Sequence, residues 1–253
     1  MSGTARPSLI DVTGPDVEAT KAFYSAVLGW RFDDGLDPTG HYSYALLDGA
    51  VVAGVRPAQP GIPPAWTLYL ATEDAESTAK DVAALGGQVL YANKAPGQGY
   101  VLVLADPAGA VVGFWQPTIE WNFASGVPGS LVWSELSTPD PDASDSFYKR
   151  LTGVTQTQIG DGVDYDYSVW SPDGGQPLFG RAVQTEGAVH SHWLVHFGVD
   201  PAVGCDAVVD LATENGATVL LPPTNIPAGR LAVLADPAGA TFAVIDNSTS
   251  EHS

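Results

Sequence analysis

The chain has 253 residues, of which 45% are hydrophobic and 15% charged, enough for two cores of ordinary size. Its 29 acidic against 10 basic residues give a formal net charge of −19, which disfavours nucleic acid and anionic membranes as partners. The acidity serves either solubility alone or the attraction of a neutral or cationic ligand. The chain shows no secretory signal or membrane-spanning run, and its single Cys205 cannot form an internal disulfide, so the sequence predicts a cytoplasmic protein.

The first predicted elements are a strand at residues 9–13 and an amphipathic helix that begins after Asp16 and ends at Gly29. Asp can cap a helix through its side-chain oxygen, and Gly favours the left-handed conformation that ends one. Apolar residues between them recur at three- and four-residue spacing, which indicates a helix packed on one face. The same signals return in the second half of the chain, with Asp140 as the cap and Gly153 at the end.

After each helix comes a Tyr-rich strand and then an Asp-Gly pair. The strands are predicted at residues 41–47 and 164–170, and the pairs are Asp48-Gly49 and Asp173-Gly174. Asp-Gly between strand-like runs is a strong signal for a tight hairpin turn. Each half therefore begins with a strand, a helix and three strands.

One seven-residue sequence, Leu-Ala-Asp-Pro-Ala-Gly-Ala, occurs at residues 104–110 and again at residues 234–240. Each copy lies between two apolar runs, so its Asp-Pro-Ala-Gly part is predicted to be the turn of a β-hairpin. The distance between the copies is about the length of a small domain. The repeat therefore predicts two copies of one module.

The remaining elements repeat the first order in both halves. They are a strand at 66–72, a helix at 75–85 and strands at 88–90, 100–104 and 111–115, then a strand at 193–199, a helix at 202–214 and strands at 218–220, 231–234 and 241–245. The prediction is an α+β fold of four βαβββ motifs, two in each module. The predicted first module is 1–116, the linker 117–129 and the second module 130–253, and so short a linker predicts that the modules pack together.

The helix sequences at 22–24 (Ala-Phe-Tyr) and 28–30 (Leu-Gly-Trp), the paired βαβββ motifs and the Asp-Pro-Ala-Gly hairpin resemble the vicinal oxygen chelate superfamily. This superfamily includes glyoxalase I, extradiol dioxygenases and bleomycin-resistance proteins. The resemblance covers nearly the whole chain and is greatest to two-module actinobacterial members, often labelled glyoxalase-like or hydroxylase. It implies a curved mixed sheet in each module that encloses a cleft. It implies little about activity, because the superfamily keeps the scaffold while changing the chemistry.

In the enzymes of this superfamily, metal ligands lie on the first, fifth and last strands of a module. The resemblance assigns these positions to Leu9, Thr67 and Gly113 in the first module and to Trp133, Leu194 and Ala243 in the second. A divalent ion needs about three protein oxygen or nitrogen ligands. These positions offer at most one hydroxyl, so the prediction is a protein with no metal cofactor, and a bound divalent metal is the alternative.

A register two residues further along keeps the same side of each strand. It gives Asp11 and Glu135 on the first strands, Tyr69 and His196 on the fifth, and Trp115 and Ile245 on the last. Either acid with His196 would supply only two metal ligands. Each acid can instead bond backbone or water, and His196 can be a core histidine rather than a catalytic base. His190 and His192 are interpreted as part of a solvated loop.

Aromatic residues on the predicted strands form the other candidate site. The candidate ligand-binding residues are Tyr44, Tyr69, Trp115, Trp133, Glu135, Tyr167, Trp170 and His196. Because side chains alternate across a strand, about half of the aromatic ones would face the cleft, where they would suit a planar or bulky apolar ligand. The alternative is that they fill sheet cores and contacts between modules. Matched positions differ between the modules, so one principal site in the second module is predicted.

Other chemistries find no support in the sequence. There is no Gly-rich phosphate loop after a strand, no G-x-S-x-G sequence and no base to activate Cys205. The prediction is a metal-free protein that binds an aromatic or bulky small molecule, as a resistance, carrier or auxiliary protein of secondary metabolism, and that is a monomer or homodimer. The alternative is a glyoxalase-like enzyme of the lyase, hydroxylase or dioxygenase type, with Glu135, Asp11 or His196 as acid or base. A purely structural or interaction module is disfavoured, because aromatic-walled clefts would stay empty.

Overall fold

The computed structural model describes residues 6–34, 42–95, 97–163, 166–184 and 190–250. Within them the elements follow the predicted order. The first module contains β1 (Pro7–Gly14), α1 (Val17–Leu28), β2 (Arg31–Asp33), β3 (Ser43–Leu47), β4 (Ala50–Pro57), β5 (Trp66–Ala71), α2 (Ala75–Ala84), β6 (Gln88–Ala95), β7 (Gly99–Ala105) and β8 (Val111–Pro117). The second contains β9 (Leu131–Thr138), α3 (Pro141–Thr152), β10 (Thr155–Gln158), β11 (Tyr167–Ser171), β12 (Phe179–Val183), β13 (His192–Gly198), α4 (Cys205–Glu214), β14 (Thr218–Ile226), β15 (Gly229–Ala235), β16 (Thr241–Asp246) and a short 3-10 helix, Asn247–Thr249.

The strands form two eight-stranded mixed sheets, which confirms the predicted α+β fold of two tandem modules. The strand orders are β2-β3-β4-β1-β5-β8-β7-β6 and β10-β11-β12-β9-β13-β16-β15-β14. The second order repeats the first with each strand number raised by eight, as expected of a duplicated module. The starts of the predicted strands at 41 and at 164–165 lie outside the described residues. In the part of the chain described, no helix is both long and apolar enough to cross a membrane.

By contacts between residues, the chain divides into two compact units, and each combines parts of both modules. The middle unit holds the described residues of Thr67–Trp121 and Ser134–Trp193 with the first residues of β1. The terminal unit holds those of Ile10–Trp66, Asn122–Trp133 and Leu194–Ser253. Each unit therefore contains one βαβββ motif from either half of the sequence, while the module boundaries at 116 and 130 stay a prediction.

The caps predicted for α1 and α3 are confirmed. The side chain of Asp16 accepts a hydrogen bond from the N–H of Ala19, and Asp140 caps α3 in the same way. Gly29 and Gly153 end the two helices at φ 74° and 75°, in the left-handed region that other residues rarely adopt. These local signals fix where each helix starts and stops, and so which of its side chains face the sheets.

A tyrosine on α1 is bonded to an aspartate of the repeated hairpin in the other module. Within the terminal unit, the hydroxyl of Tyr24 donates to Oδ2 of Asp236 at 3.0 Å and accepts from Nε1 of Trp66 at 3.0 Å. The other carboxylate oxygen of Asp236 accepts the backbone N–H groups of Ala238 and Ala240, both at 2.9 Å. Both oxygens of the buried Asp236 carboxylate are thus bonded, which is how a buried carboxylate is tolerated.

The middle unit repeats this arrangement. The hydroxyl of Tyr148 on α3 donates to Oδ2 of Asp106 at 3.2 Å and accepts from Nε1 of Trp193 at 3.0 Å. Burial and the adjacent carboxylate raise the pKa of Tyr148 well above its ordinary value, so its hydroxyl stays protonated and can donate. The Tyr of the helix sequence and the Asp of the hairpin sequence thus form one linkage, made twice, and the modules pack together through it.

Helix α4 and strands β6 and β14 differ from the predicted bounds by three residues or more. Helix α4 begins at Cys205 instead of 202, because the side chain of Asp200 holds the N–H of Ala202 in a turn and Gly204, at φ 83°, precedes the helix. Strands β6 and β14 are longer than predicted. Both are edge strands, largely exposed on both faces, so their sequences lack the alternation that marks a half-buried strand.

Candidate functional site

Asp11, on β1 of the terminal unit, is a buried acid with a cationic partner. It is 2% exposed and forms an ion pair at 3.1 Å with Nε of Arg56 on β4. The hydroxyl of Tyr42 also donates to it at 3.4 Å. Gly54 is in register with Asp11, and a Cβ there would overlap the Tyr42 ring. The glycine therefore lets Tyr42 approach, and the acid belongs to a compensated polar cluster.

Glu135, at the matched position on β9, has a different environment. Within the middle unit it is in register with Gly180, and its side chain accepts a hydrogen bond from Tyr167. Removal from water raises the pKa of Glu135, and this effect exceeds the opposing effect of the hydrogen bond. Among the described residues it forms no ion pair. A carboxyl with a raised pKa and no cation beside it is suited to exchange a proton or to bind a ligand hydroxyl.

Tyr69, on β5 of the middle unit, covers Gly113, the position that the resemblance assigns to a last-strand metal ligand. Gly113 is in register with Tyr69 on the neighbouring strand β8. A Cβ at Gly113 would overlap the Tyr69 ring, so the ring occupies the space into which any larger side chain would project. The aromatic residue and the glycine are therefore complementary in shape.

His196, on β13 of the terminal unit, is buried and has no hydrogen-bond partner in the part of the chain that the structure describes. It is 4% exposed, and neither of its ring nitrogens has a partner among the described residues. Burial lowers the pKa of His196 to about 4, so the imidazole is neutral near pH 7. A neutral imidazole offers one donor and one acceptor, and leaving both unused inside a protein is costly.

The surroundings of His196 are apolar. It is in register with Ala243 on β16, and partners in register project from the same face of a sheet. On that face lies a cluster that we call the apolar floor, made of Leu231, Ala243 and Ile245 with Val132, Leu194, Ile226 and Val233 packed against it. His196 is thus a polar group beside an aliphatic surface.

Trp115, on β8 of the middle unit, also has an unused polar atom. It is 2% exposed, its ring meets that of Trp121 at 5.7 Å, and its Nε1 has no hydrogen-bond partner in the described ranges. Ring nitrogens of buried Trp residues usually find an acceptor. Trp115 therefore resembles His196 in offering a donor that the protein does not use.

Trp170, on β11, packs on the side of its sheet that faces α3. Its ring contacts Tyr148 at 4.9 Å, and its Nε1 donates to Asp145 of α3 at 2.7 Å. Asp145 also pairs with the buried Arg181 at 3.4 Å, and Arg181 pairs with Asp166 at 3.0 Å. The indole of Trp170 is thereby part of the packing between helix and sheet, on the opposite side of β11 from Tyr167.

The other candidates lie on the strands expected of them. Tyr44 is buried on β3, with its ring 4.9 Å from that of Tyr42. Trp133 is partly exposed on β9 and, two residues before Glu135, projects from the same side of the strand. Arg56 and Arg181, the cations of the two buried clusters, were not predicted from the sequence. A signal existed for both, since an arginine inside an apolar strand is rarely unpaired.

The residues present do not fit the metal centre of the family enzymes. Five of the six ligand positions hold side chains without a donor atom for a divalent ion, and Tyr69 fills the space at Gly113. Among the described residues, no group of three His, Cys, Asp or Glu side chains is placed to hold a metal ion. The chemistry of the donor set is thus unsuitable for a metal, and metal-free binding stays a prediction.

Two glyoxalase-like modules in tandem, with aromatic and isolated polar side chains on their strands, define a member of the vicinal oxygen chelate superfamily. The Glyoxalase-like domain family matches this chain twice, over residues 9–122 and 133–245. The chain therefore belongs to the glyoxalase-like domain family.

Two relatives match almost end to end. CFP32 of Mycobacterium tuberculosis, provisionally named a glyoxylase, is 35% identical over 248 residues, which cover 94% of this chain and 94% of CFP32. The anthracycline biosynthesis protein DauV of Streptomyces sp. strain C5 is 36% identical over 258 residues, which cover 95% of this chain and 92% of DauV. Both alignments therefore span the two modules of this chain.

Solved structures share the fold at low sequence identity. The 2,3-dioxygenase LapB from Pseudomonas sp. KL28 superposes with a TM-score of 0.67 at 18% identity, covering 97% of this chain and 93% of LapB. The Mn(II)-bound glyoxalase from Novosphingobium aromaticivorans superposes with a TM-score of 0.65 at 18% identity, covering 99% of this chain and 87% of that one. Identity at this level shows the fold and leaves the chemistry of this chain to its own residues.

Proposed function

We propose that this protein binds a bulky, planar aromatic small molecule without a divalent metal ion. The observation that supports the proposal is that side chains unsuited to a metal ion occupy the metal-ligand positions implied by the resemblance. The clearest case is the Tyr69 ring, which fills the space at Gly113. An aromatic ring and an aliphatic surface bind by burial of apolar area and by stacking, and both suit a flat polycyclic ligand. An isolated polar group then fixes its orientation, and Glu135 and His196 are the alternative candidates.

The names of two relatives indicate a ligand class. DauV and DnrV are each named an anthracycline biosynthesis protein, at 36% and 37% identity to this chain. Anthracyclines are flat, polycyclic and aromatic, which is the shape that the aromatic residues favour. A net charge of −19 also favours a neutral or cationic ligand over an anionic one. We infer an auxiliary, carrier or resistance role in secondary metabolism, in the cytoplasm, with one principal site in the second module.

The test combines composition with binding. Protein purified without chelator is examined by elemental analysis and native mass spectrometry, then titrated by calorimetry with the anthracycline daunorubicin before and after treatment with EDTA. We expect no stoichiometric metal, one ligand per chain and an affinity that EDTA leaves unchanged. About one Fe, Zn, Ni or Mn per chain, with binding lost in EDTA, would contradict the proposal.

A matched pair of variants tests the position of the site. Trp133→Ala removes the candidate aromatic of the second module, and Trp115→Ala removes one from the first. Truncation of a buried stacking Trp typically weakens binding by about 100-fold. We expect that loss for Trp133→Ala and a much smaller one for Trp115→Ala. Equal losses, or two ligands per chain, would contradict a single principal site.

A second candidate function is proton transfer to or from an enolisable ligand, and the environment of Glu135 favours it. Its raised pKa brings the carboxyl closer to the working range of a general acid or base. Deuterium exchange into 2-tetralone, an enolisable aromatic ketone, would be followed by NMR. Wild type should accelerate the exchange and Glu135→Gln should not. Equal exchange with both proteins would leave binding as the function.

A further inference from the structure

We propose that His196 is the group that orients the bound ligand, by accepting a hydrogen bond from an uncharged phenolic or enolic hydroxyl while the ligand rests on the apolar floor. This inference deepens the proposed function and rests on it. The hydrogen bond to His196 would narrow the ligand class to aromatic molecules that carry a free hydroxyl on the ring system.

The first support for this proposal is the position of the His196 imidazole in the sheet. His196 is in register with Ala243, so its side chain projects from the face that holds Leu231, Ala243 and Ile245. The preceding and following residues, Val195 and Phe197, project from the opposite face, where Phe197 packs against Trp30 and Trp66. The imidazole therefore does not belong to the aromatic core of the terminal unit. It lies beside Ala243 of the apolar floor, on the face against which an apolar ligand would rest.

The second support is that neither ring nitrogen of His196 has a hydrogen-bond partner among the described residues. A few other buried side chains, such as Trp115, also have one polar atom without a partner in the described ranges, but His196 is the described side chain in which two atoms lack one. Both nitrogens of His196 have no partner among the described residues although the residue is 4% exposed. Buried polar groups are almost always bonded, so an orphaned pair indicates a partner that the protein itself does not supply.

The chemistry of that partner follows from the neutral state of the ring. Desolvation keeps the imidazole uncharged near pH 7, so it does not attract a carboxylate or phosphate, and the net charge of −19 repels both. A neutral ring nitrogen without a proton accepts from an O–H group. A phenolic or enolic hydroxyl on an otherwise apolar ring system provides that O–H and places the rest of the ligand against aliphatic side chains.

The experiment compares two ligands that differ in one hydrogen-bond donor. Wild type is titrated at about pH 6 with 2-hydroxyanthraquinone and with 2-methoxyanthraquinone, which lacks the O–H. The variants are His196→Leu, which removes the acceptor, and His196→Gln, which restores one. His192→Leu is the matched control, because His192 is on the same strand and its Nδ1 already bonds the carbonyl of His190 at 3.0 Å.

We expect wild type and His192→Leu to prefer the hydroxyl ligand by about tenfold, since a hydrogen bond contributes about that much to affinity. His196→Leu should lose the preference while binding the methoxy ligand as wild type does, and His196→Gln should recover part of it. His196→Leu should also unfold at a higher temperature, by about 2–5 °C, because it removes an orphaned polar group. A purely structural histidine would not produce the loss of ligand preference together with greater stability.

Each other result has a defined meaning. If wild type binds both ligands equally, or if His196→Leu keeps the preference for the hydroxyl, the inference is wrong and the proposed function stands. If His196→Leu changes stability alone, buried water is the partner of the imidazole and the inference is again wrong. If wild type binds neither anthraquinone nor daunorubicin, both the inference and the proposed function are overturned.

Discussion

The first-strand acids of the two modules hold matched positions but do different things. Asp11 is buried against the guanidinium of Arg56, at 3.1 Å, whereas Glu135 accepts from Tyr167 and has a raised pKa. Each is opposite a glycine of the return strand, so the local backbone is alike. The difference shows that one scaffold position can hold a structural ion pair in one module and an uncompensated carboxyl in the other.

The fifth strands differ in the same way. The Tyr69 ring fills the space above Gly113, so the pair is complementary and closed. His196, at the position that matches Tyr69, has no hydrogen-bond partner among the described residues for either ring nitrogen. The first module thus pairs its acid with a cation and fills the space at Gly113, whereas the acid of the second module forms no ion pair within the described ranges. This difference supports the proposal of one principal site in the second module.

The largest expected effect is the loss of the Asp11 partner. Arg56→Met should lower the free energy of unfolding by about 3–4 kcal/mol at pH 7, because it leaves a buried carboxylate without compensation. Urea unfolding of wild type and variant measures the loss. A loss below about 1 kcal/mol would mean that the pair behaves like a surface salt bridge.

His196 should give the protein a pH-dependent stability. Its pKa falls from 6.5 to about 4 on folding, so between those values the unfolded chain binds a proton that the folded chain does not. Stability should therefore decrease as the pH falls from about 6.5 to 4, by about 2–3 kcal/mol from this group. His196→Leu should remove that part of the decrease. If the free energies of unfolding of wild type and His196→Leu depend on pH in the same way across this range, the assignment is wrong.

Gly113→Ala tests the closed pair of the first module. The added methyl group would overlap the Tyr69 ring and should destabilise the protein by about 2 kcal/mol. Combining it with Tyr69→Ala should relieve the clash, so that the double variant is less destabilised than the sum of the two single changes. Thermal unfolding of all three proteins measures the coupling. Simple additivity would mean that the ring moves aside without cost.

Glu135→Gln should have the smallest effect and the opposite sign to Arg56→Met. A raised pKa on folding means that Glu135 stabilises the folded state at low pH and loses this contribution as the pH rises through its folded pKa. A neutral amide should therefore stabilise the protein at pH 7, by up to about 1 kcal/mol, and make little difference at pH 4. Destabilisation at pH 7 would mean that the carboxylate has a cationic partner after all.

Local chemistry explains why much of the fold was predictable. Asp16 and Gly29 delimit α1 through bonds and dihedral angles that involve only neighbouring residues. Asp48, at φ 51°, and Gly49, at φ 84°, form the predicted tight turn for the same reason. Such signals need no knowledge of distant strands.

The candidate site was only partly predictable, because its contacts depend on register between distant segments. Arg56 is 45 positions from Asp11 and meets it only because β4 pairs with β1 in one register. Nothing in the sequence around Trp170 separates an indole that binds a ligand from one that donates to Asp145 on a helix. The orphaned state of His196 is likewise a property of its neighbours in space.

The two tyrosine–aspartate linkages also set an order of events when the chain is made. Tyr148 and Asp106 are separated by 42 positions, whereas Tyr24 and Asp236 are separated by 212. Closing the longer loop costs about 1.4 kcal/mol more in chain entropy. During synthesis, residues 106 and 148 of the middle unit emerge well before residue 236 does, whereas α1 is translated long before its hairpin partner. Tyr24 therefore meets its aspartate later than Tyr148 does.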